Sequence, residues 1–337
     1  MKVYATYYDN EIRKESSSGG VFSLIAKKFE VIYGVAMTED CYSAEFKRVM
    51  AGEDLSPLRC SKYLQAKVGN TFVQVKKDLE IGKSVLFTGT GCQVNGLKTY
   101  LGKDYEKLVC VDIICHGVPS PALWKKYAKY QEEKNEGKLK YINFRCKDIN
   151  WNDFGMKELL ENKGVYIPKD KDPYMQMFLR DFCLRPSCYE CVAKRVKMSD
   201  LTIADFWGID DVAPNMNDGN GTSLVLVRTI KGKDIFEKIS GDLKLKEVTY
   251  EEGVKCNPAE YKSCKRPSQR ETFFDDMNVM NFEELKNKYI IPIKISFWKR
   301  VARKIKNFIK AVLQIFMGGG QKKNEGYGLL FLFRIRG

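Results

Sequence analysis

The chain holds a single histidine, His116, in 337 residues. That excludes metal centres built from several imidazoles. No run of 18 uncharged apolar residues occurs, which excludes an ordinary membrane-spanning helix. The first residues, Met1-Lys-Val-Tyr-Ala-Thr-Tyr-Tyr8, are too few and too polar for an export signal, so the expected location is the cytoplasm. Acids are almost missing from the end: Lys286 to Gly337 carries 13 Lys and Arg against Glu325 alone. The remaining body has 44 basic and 42 acidic residues, so the net charge of +14 belongs to the tail. A folded nucleic-acid binder carries its basic stripe on the domain itself, so nucleic acid is not expected as a partner. Dinucleotide and nucleotide fingerprints are missing too. No Gly-x-Gly-x-x-Gly occurs, and no Gly-Lys-Ser/Thr follows Ser16-Ser-Ser-Gly-Gly20.

Cysteine is abundant instead, with eleven residues. Without an export signal, such clusters favour metal or iron–sulfur ligation over disulfides. Cys188-Tyr-Glu-Cys191 is the one close pair, with Cys183 five residues before Cys188, in a turn holding Arg185 and Pro186. Cys92 and Cys115 each follow a run that reads as a buried strand, Ser84 to Thr88 and Leu108 to Ile114. Ligand sites of α/β sheets gather in such loops. Cys92 also sits in a glycine-bearing turn before a helix over 93–101, where orphan backbone N–H groups attract anions and stabilise a thiolate. A [4Fe–4S] cube needs four converging thiolates, and Cys92, Cys115, Cys188 and Cys191 satisfy that pattern. A structural zinc could use the same four. Cys110 lies within a strand and reads as a small apolar core residue.

Alternating strands and helices predict an α/β fold with a mostly parallel central sheet and flanking helices. Strands are expected at 2–7, 31–37, 84–88, 108–114, 200–206 and 223–228. Helices are expected at 21–29, 68–79, 121–134, 172–182 and 232–239. The middle is irregular and cysteine-bearing, with strands at 141–146 and 155–160. The body is expected to end near residue 277, with a sub-boundary near 140. Beyond it, apolar residues at 297, 301, 305, 308, 309, 312, 315 and 316 form a helical stripe opposite a basic face. Residues 296–316 therefore read either as a membrane-surface helix or as a helix docked on its own protein.

Two further features carry chemistry. Ser16-Ser-Ser-Gly-Gly20 precedes a helix and reads either as an ordinary N-cap or as a phosphate-approach turn. His116, beside Cys115, reads either as a loop histidine bonded to backbone or as a proton carrier.

Six segments in this order resemble the beta-subunit family of coenzyme F-420 hydrogenase/dehydrogenase: Ser16 to Phe22, Ser61-Lys-Tyr-Leu-Gln65, Phe87 to Val94, Asp112 to Ser120, Leu184 to Cys191 and Ser199 to Gly208. The resemblance spans about residues 2–277. It implies an iron–sulfur flavoprotein oxidoreductase, with FAD beside a [4Fe–4S] cluster and electrons passing to an unidentified small-molecule acceptor. The implied cluster ligands are Cys92, Cys115, Cys188 and Cys191, with Cys183 in reserve. The implied flavin neighbours are Ser18, Gly19, Gly20, Lys62, Thr88 and Thr90, with His116 and Asp205 near the redox centre. Gly91 stands where the family usually has proline, and Cys60 where it often has glycine. Many relatives carry an N-terminal ferredoxin-like segment. This chain is expected to start after it and to take electrons from a separate ferredoxin or reductase. The basic rim of Lys194, Arg195 and Lys197 would suit an acidic donor. Relatives with this serine–glycine turn are associated with surface polysaccharides. The alternative is a zinc-stabilised, non-catalytic scaffold of a membrane-associated glycan pathway.

Overall fold

The computed structural model describes residues 1–8 and 11–290. The expected tail helix at 296–316 lies outside the described residues. Among the described residues, twelve strands form two sheets. The first holds nine: β1 (Lys2–Tyr8), β2 (Val31–Met37), β3 (Ala44–Met50), β4 (Ala66–Lys67), β5 (Val85–Thr90), β6 (Leu108–Ile113), β10 (Leu201–Asp205), β11 (Ser223–Val227) and β12 (Leu243–Val248), in the order β12-β1-β11-β10-β6-β5-β2-β3-β4. The second is an antiparallel meander of β7 (Leu139–Cys146), β8 (Gly155–Leu160) and β9 (Gly164–Pro168).

The sheet is mixed, which corrects the expectation of a mostly parallel one. Parallel pairing joins β10-β6-β5-β2 and β3-β4. The other four pairings are antiparallel. The reason at one edge is chain length. Only residues 38–43 link β2 to β3, too few for the crossover that parallel neighbours require.

The central strands are buried on both faces, and successive side chains face opposite layers. Ile32, Leu86, Val109 and Val111 face one layer with helices Val21–Ala26 and Ile230–Ser240. Val31, Tyr33, Val85, Phe87 and Cys110 face the other, against helices Thr71–Glu80 and Gly91–Leu101. That two-residue period makes the sheet the middle of a three-layer sandwich. Cys110 is fully buried there, as its strand position predicts.

The meander starts at Leu139 and shares its core with helices Pro121–Asn135 and Pro173–Leu179. Two unexpected helices, Arg270–Val279 and Phe282–Tyr289, join that same core through Phe273, Phe282, Leu285 and Tyr289. The compact body therefore runs to Ile290, past the boundary read near 277.

Strand directions decide where the loops meet. β1 is antiparallel to β11, and β11 is antiparallel to β10. So β1 points the same way as β10, β6, β5 and β2. The carboxyl ends of five strands, and the loops after them, share one edge of the sheet. Open α/β sheets bind ligands at such an edge.

Candidate functional site

Cys92 is placed by β5 and the helix after it. The sequence suggested a glycine-rich loop between them, but none is present. Thr90 ends the strand and caps the helix, whose first residue is Gly91. Gln93 accepts the Thr90 backbone N–H at 2.9 Å through its side-chain oxygen. The glycines serve close approach instead. A Cβ on Gly89 would stand 2.9 Å from Gln93 Oε1, and one on Gly91 would stand 3.0 Å from Asp112 Oδ2 and 3.2 Å from Ala193 Cβ. Cys92 thus sits in the first helical turn, exposed, with Thr90 Oγ1 3.1 Å from its sulfur.

Cys115 follows β6. The segment after it pairs with the chain before the Cys-x-x-Cys turn. Pro119 bridges Leu184, Ser120 N–H donates to the Cys183 carbonyl at 2.8 Å, and Arg185 N–H donates to the Val118 carbonyl at 3.0 Å. This seam brings Cys188 and Cys191 over the strand ends. Val118 N–H points at Cys188 Sγ at 3.5 Å, and Cys191 N–H donates to Ser263 Oγ at 3.0 Å.

All four cysteines line one cavity of about 270 Å³, together with Thr90, His116, Asp112 and Lys194. They come from three stretches separated by up to 99 residues, so their meeting is a product of the fold. Burial pushes the Cys115 thiol up to about 12, with Lys194 opposing and Cys188, Cys92 and Cys191 adding to the rise. Burial also raises Cys188, against the hydrogen bond from Val118. The four sulfurs act on one another's charge, yet they do not form a closed ligand set. Among the described residues, no three Cys, His, Asp or Glu side chains stand together at metal-holding spacing. The donor chemistry fits a thiolate-ligated group: four sulfurs on one wall, a backbone N–H aimed at one of them, and a cation beside Cys115.

Lys194 supplies that cation, and its ammonium bonds the carbonyls of Cys115 and Ala259. Lys197 is paired with Glu260 at 3.1 Å. Of the three rim residues read from the sequence, only Arg195 is exposed. The reserve ligand Cys183 does not line the cavity. It is fully buried among apolar side chains, which push its thiol up to about 12. Cys264 lies beside the site instead, its sulfur 3.8 Å from the Cys188 carbonyl.

His116 stands on the cavity wall with Nε2 2.6 Å from Asp181 Oδ1, its ring edge-on to Phe178 at 5.3 Å. Asp181 went unnoticed in the sequence. It lies 65 residues away and takes a left-handed φ of 64°, a backbone that Asp tolerates better than most residues.

The remaining site residues occupy the same sheet edge, beyond the cysteine cavity except for Thr90. Ser18 Oγ donates to the Thr222 carbonyl at 2.9 Å, and Gly19 N–H donates to Ser223 Oγ at 2.9 Å. Gly20 adopts φ 81° and caps the next helix. Thr88 Oγ1 donates to the Tyr33 carbonyl at 3.0 Å. Lys62 bonds the carbonyls of Pro57 (2.7 Å) and Arg59, and burial lowers its ammonium to about 8. Asp205 accepts from Trp151 Nε1 at 2.9 Å and is paired with Arg145. Arg145 and Lys147 also gather here, and neither stood out in the sequence.

No helix among the described residues is long and apolar enough to cross a membrane. No curated protein matches the chain. A solved structure of the F420-reducing [NiFe] hydrogenase complex from Methanosarcina barkeri, derivatised with xenon, contains a chain of similar fold. The TM-score is 0.52 and the identity 16%, over 82% of this chain and 91% of that one. The model of the family described as the C terminus of the coenzyme F420 hydrogenase/dehydrogenase beta subunit, matches residues 82–252. That span contains all four clustered cysteines and His116, and half of the chain, so the chain belongs to this family of oxidoreductase subunits.

Proposed function

We propose that the protein is an iron–sulfur flavoprotein oxidoreductase. Cys92, Cys115, Cys188 and Cys191 would hold a [4Fe–4S] cluster. FAD would lie along the same sheet edge, near Ser18, Gly19, Gly20, Lys62, Thr88 and Thr90. When bound, such a pair supplies exchange between one-electron and two-electron chemistry. The observation that carries the reading is the convergence of four thiols from three stretches of chain, with His116, on one cavity. His116, held by Asp181, is the group placed to hold or move a proton at that wall. Asp205 anchors Arg145 rather than lining the cysteine cavity.

The electron partner in this reading is a separate ferredoxin or reductase, and the acceptor is a small molecule of a surface-polysaccharide pathway. Exposed Arg185 on the cavity wall, with Arg195 beyond it, would meet an acidic donor. The protein would work in the cytoplasm, with residues 296–316 as a membrane-surface contact.

Anaerobic purification tests the assignment. Four irons, acid-labile sulfide and flavin absorption are expected per chain. A colourless protein with one zinc would support the scaffold reading instead. Cys188→Ser is expected to lose the iron while Cys110→Ser keeps it, and equal iron in both would remove the ligand assignment.

A further inference from the structure

Cations crowd the sheet edge around Cys60. Arg59, Lys62 and Lys147 all act on its thiol, Arg145 feels Cys60 and Tyr63, and Lys147 feels Arg13 and Arg145. Three of these cations are matched by carboxylates. Arg13 pairs with Asp218 at 2.7 Å, Arg59 with Glu15 at 2.5 Å, and Arg145 with Asp205. Lys62 and Lys147 have no carboxylate partner among the described residues. Lys147 spends its three protons on the carbonyls of Arg13 (2.6 Å), Ser18 (3.0 Å) and Asn220 (2.5 Å). It therefore pins the serine–glycine loop and contributes charge only. Lys62 uses two protons on carbonyls and keeps one.

Arg145 is the second observation. Its side chain is only 3% exposed and packs against the rings of Phe154 and Trp207, 4.5 and 4.8 Å from its central carbon. Neither ring offers an acceptor in the guanidinium plane. One nitrogen, Nη1, holds Asp205. Nε and Nη2, which together form the side-on fork, are buried with no hydrogen-bond partner among the described residues. Unmatched buried donors of this kind cost free energy that a ligand can recover. A guanidinium fork with two parallel N–H groups suits a bidentate oxyanion.

We propose that the Arg145 fork and the Lys62 ammonium form a phosphoryl-binding subsite, supported by the charge of Lys147 and closed on one side by the Ser16–Gly20 turn. The assignment of that phosphoryl group to FAD rests on the flavin reading above; a phosphorylated substrate would present the same chemistry. The full-length protein, stripped of flavin, is titrated with FAD, FMN and inorganic phosphate, by flavin fluorescence and by shift of the melting temperature. Arg145→Lys keeps the charge opposite Asp205 and removes the fork. Lys62→Met removes the second cation and keeps an apolar stem of similar length between the buried Leu58 and Leu64. Each variant is expected to weaken FAD binding by about tenfold or more while the ligand-free melting temperature stays near that of wild type. Should Arg145→Lys misfold, Lys62→Met decides alone. Unchanged binding of FAD and phosphate in the folded variants overturns the subsite and leaves the flavin reading standing. A wild-type protein that ignores both flavins, yet is stabilised by phosphate only when Arg145 and Lys62 are present, keeps the subsite and assigns it to substrate. No response to any of the three probes overturns the subsite outright.

Discussion

Glu158 offers a quantitative test of the core behind the cysteine loop. Its carboxyl is fully buried, as are Tyr127 and Asp172. The Tyr127 hydroxyl lies 2.8 Å from Glu158 Oε1 and 2.6 Å from Asp172 Oδ2, and it accepts Gln131 Nε2 at 2.7 Å. A hydroxyl has one proton to donate, so it cannot serve two carboxylates. One carboxyl must carry a proton of its own. Burial raises the Asp172 carboxyl too, to about 6, but less far than Glu158, because it caps helix Pro173–Leu179 by accepting the Met175 N–H at 2.7 Å, which favours its charged form. Glu158 Oε2 has no partner, so Glu158 is the acid. Burial raises its pKa from 4.5 to about 7. The folded state therefore holds a proton that the unfolded chain releases. Stability from this group is full below about pH 4.5 and is lost as pH rises through about 7, by about 3 kcal/mol in total. Glu158→Gln donates an amide proton to Tyr127 at every pH and has nothing to lose. Urea unfolding of wild type and variant, compared from pH 5 to pH 8, is the assay. The variant should gain about 2.5 kcal/mol on wild type across that range. Taking the difference cancels groups of opposite sign, such as Asp78 and Asp218, which arginines hold below the usual carboxylate range. A pH-independent difference would refute the shared-proton reasoning.

Two other outcomes are expected. Gly19→Ala places a Cβ 2.6 Å from the Thr6 carbonyl oxygen and 2.9 Å from Ser223 N, so stability should fall by about 1–3 kcal/mol in denaturant melts; a neutral effect would show that the serine–glycine turn yields freely. Asp181→Gly keeps the left-handed backbone unstrained but removes the carboxylate, so the ring-proton resonances of the sole histidine should move in the NMR spectrum; unchanged resonances would mean that Asp181 does not hold His116.

Much of the central sheet was legible because strands buried on both faces read as apolar runs. Val31–Met37 was placed to the residue, and Leu108–Ile113 to within one. The sheet margins were missed for the opposite reason. In β12, Leu243-Lys-Leu-Lys246 alternates apolar and charged residues before Glu247 breaks the period, and the strand forms an exposed edge, so it lacks the apolar run that marks the central strands. Its pairing with β1, the pairings of β11 with β1 and β10, and the short β2–β3 return made an expected mostly parallel sheet a mixed one.

The sequence by itself determined which residues bear sulfur, that the strands feeding Cys92 and Cys115 are buried, and that Cys188 and Cys191 share a turn. Local spacing and apolarity suffice for that. Tertiary structure alone decided that these sulfurs face one cavity while Cys183 does not, and that Asp181 meets His116. It also decided that Arg145 is buried beside Asp205, with Nε and Nη2 unpartnered among the described residues. Those facts depend on strand order and on the seam between residues 118–120 and 183–185, contacts across long separations that no local pattern encodes.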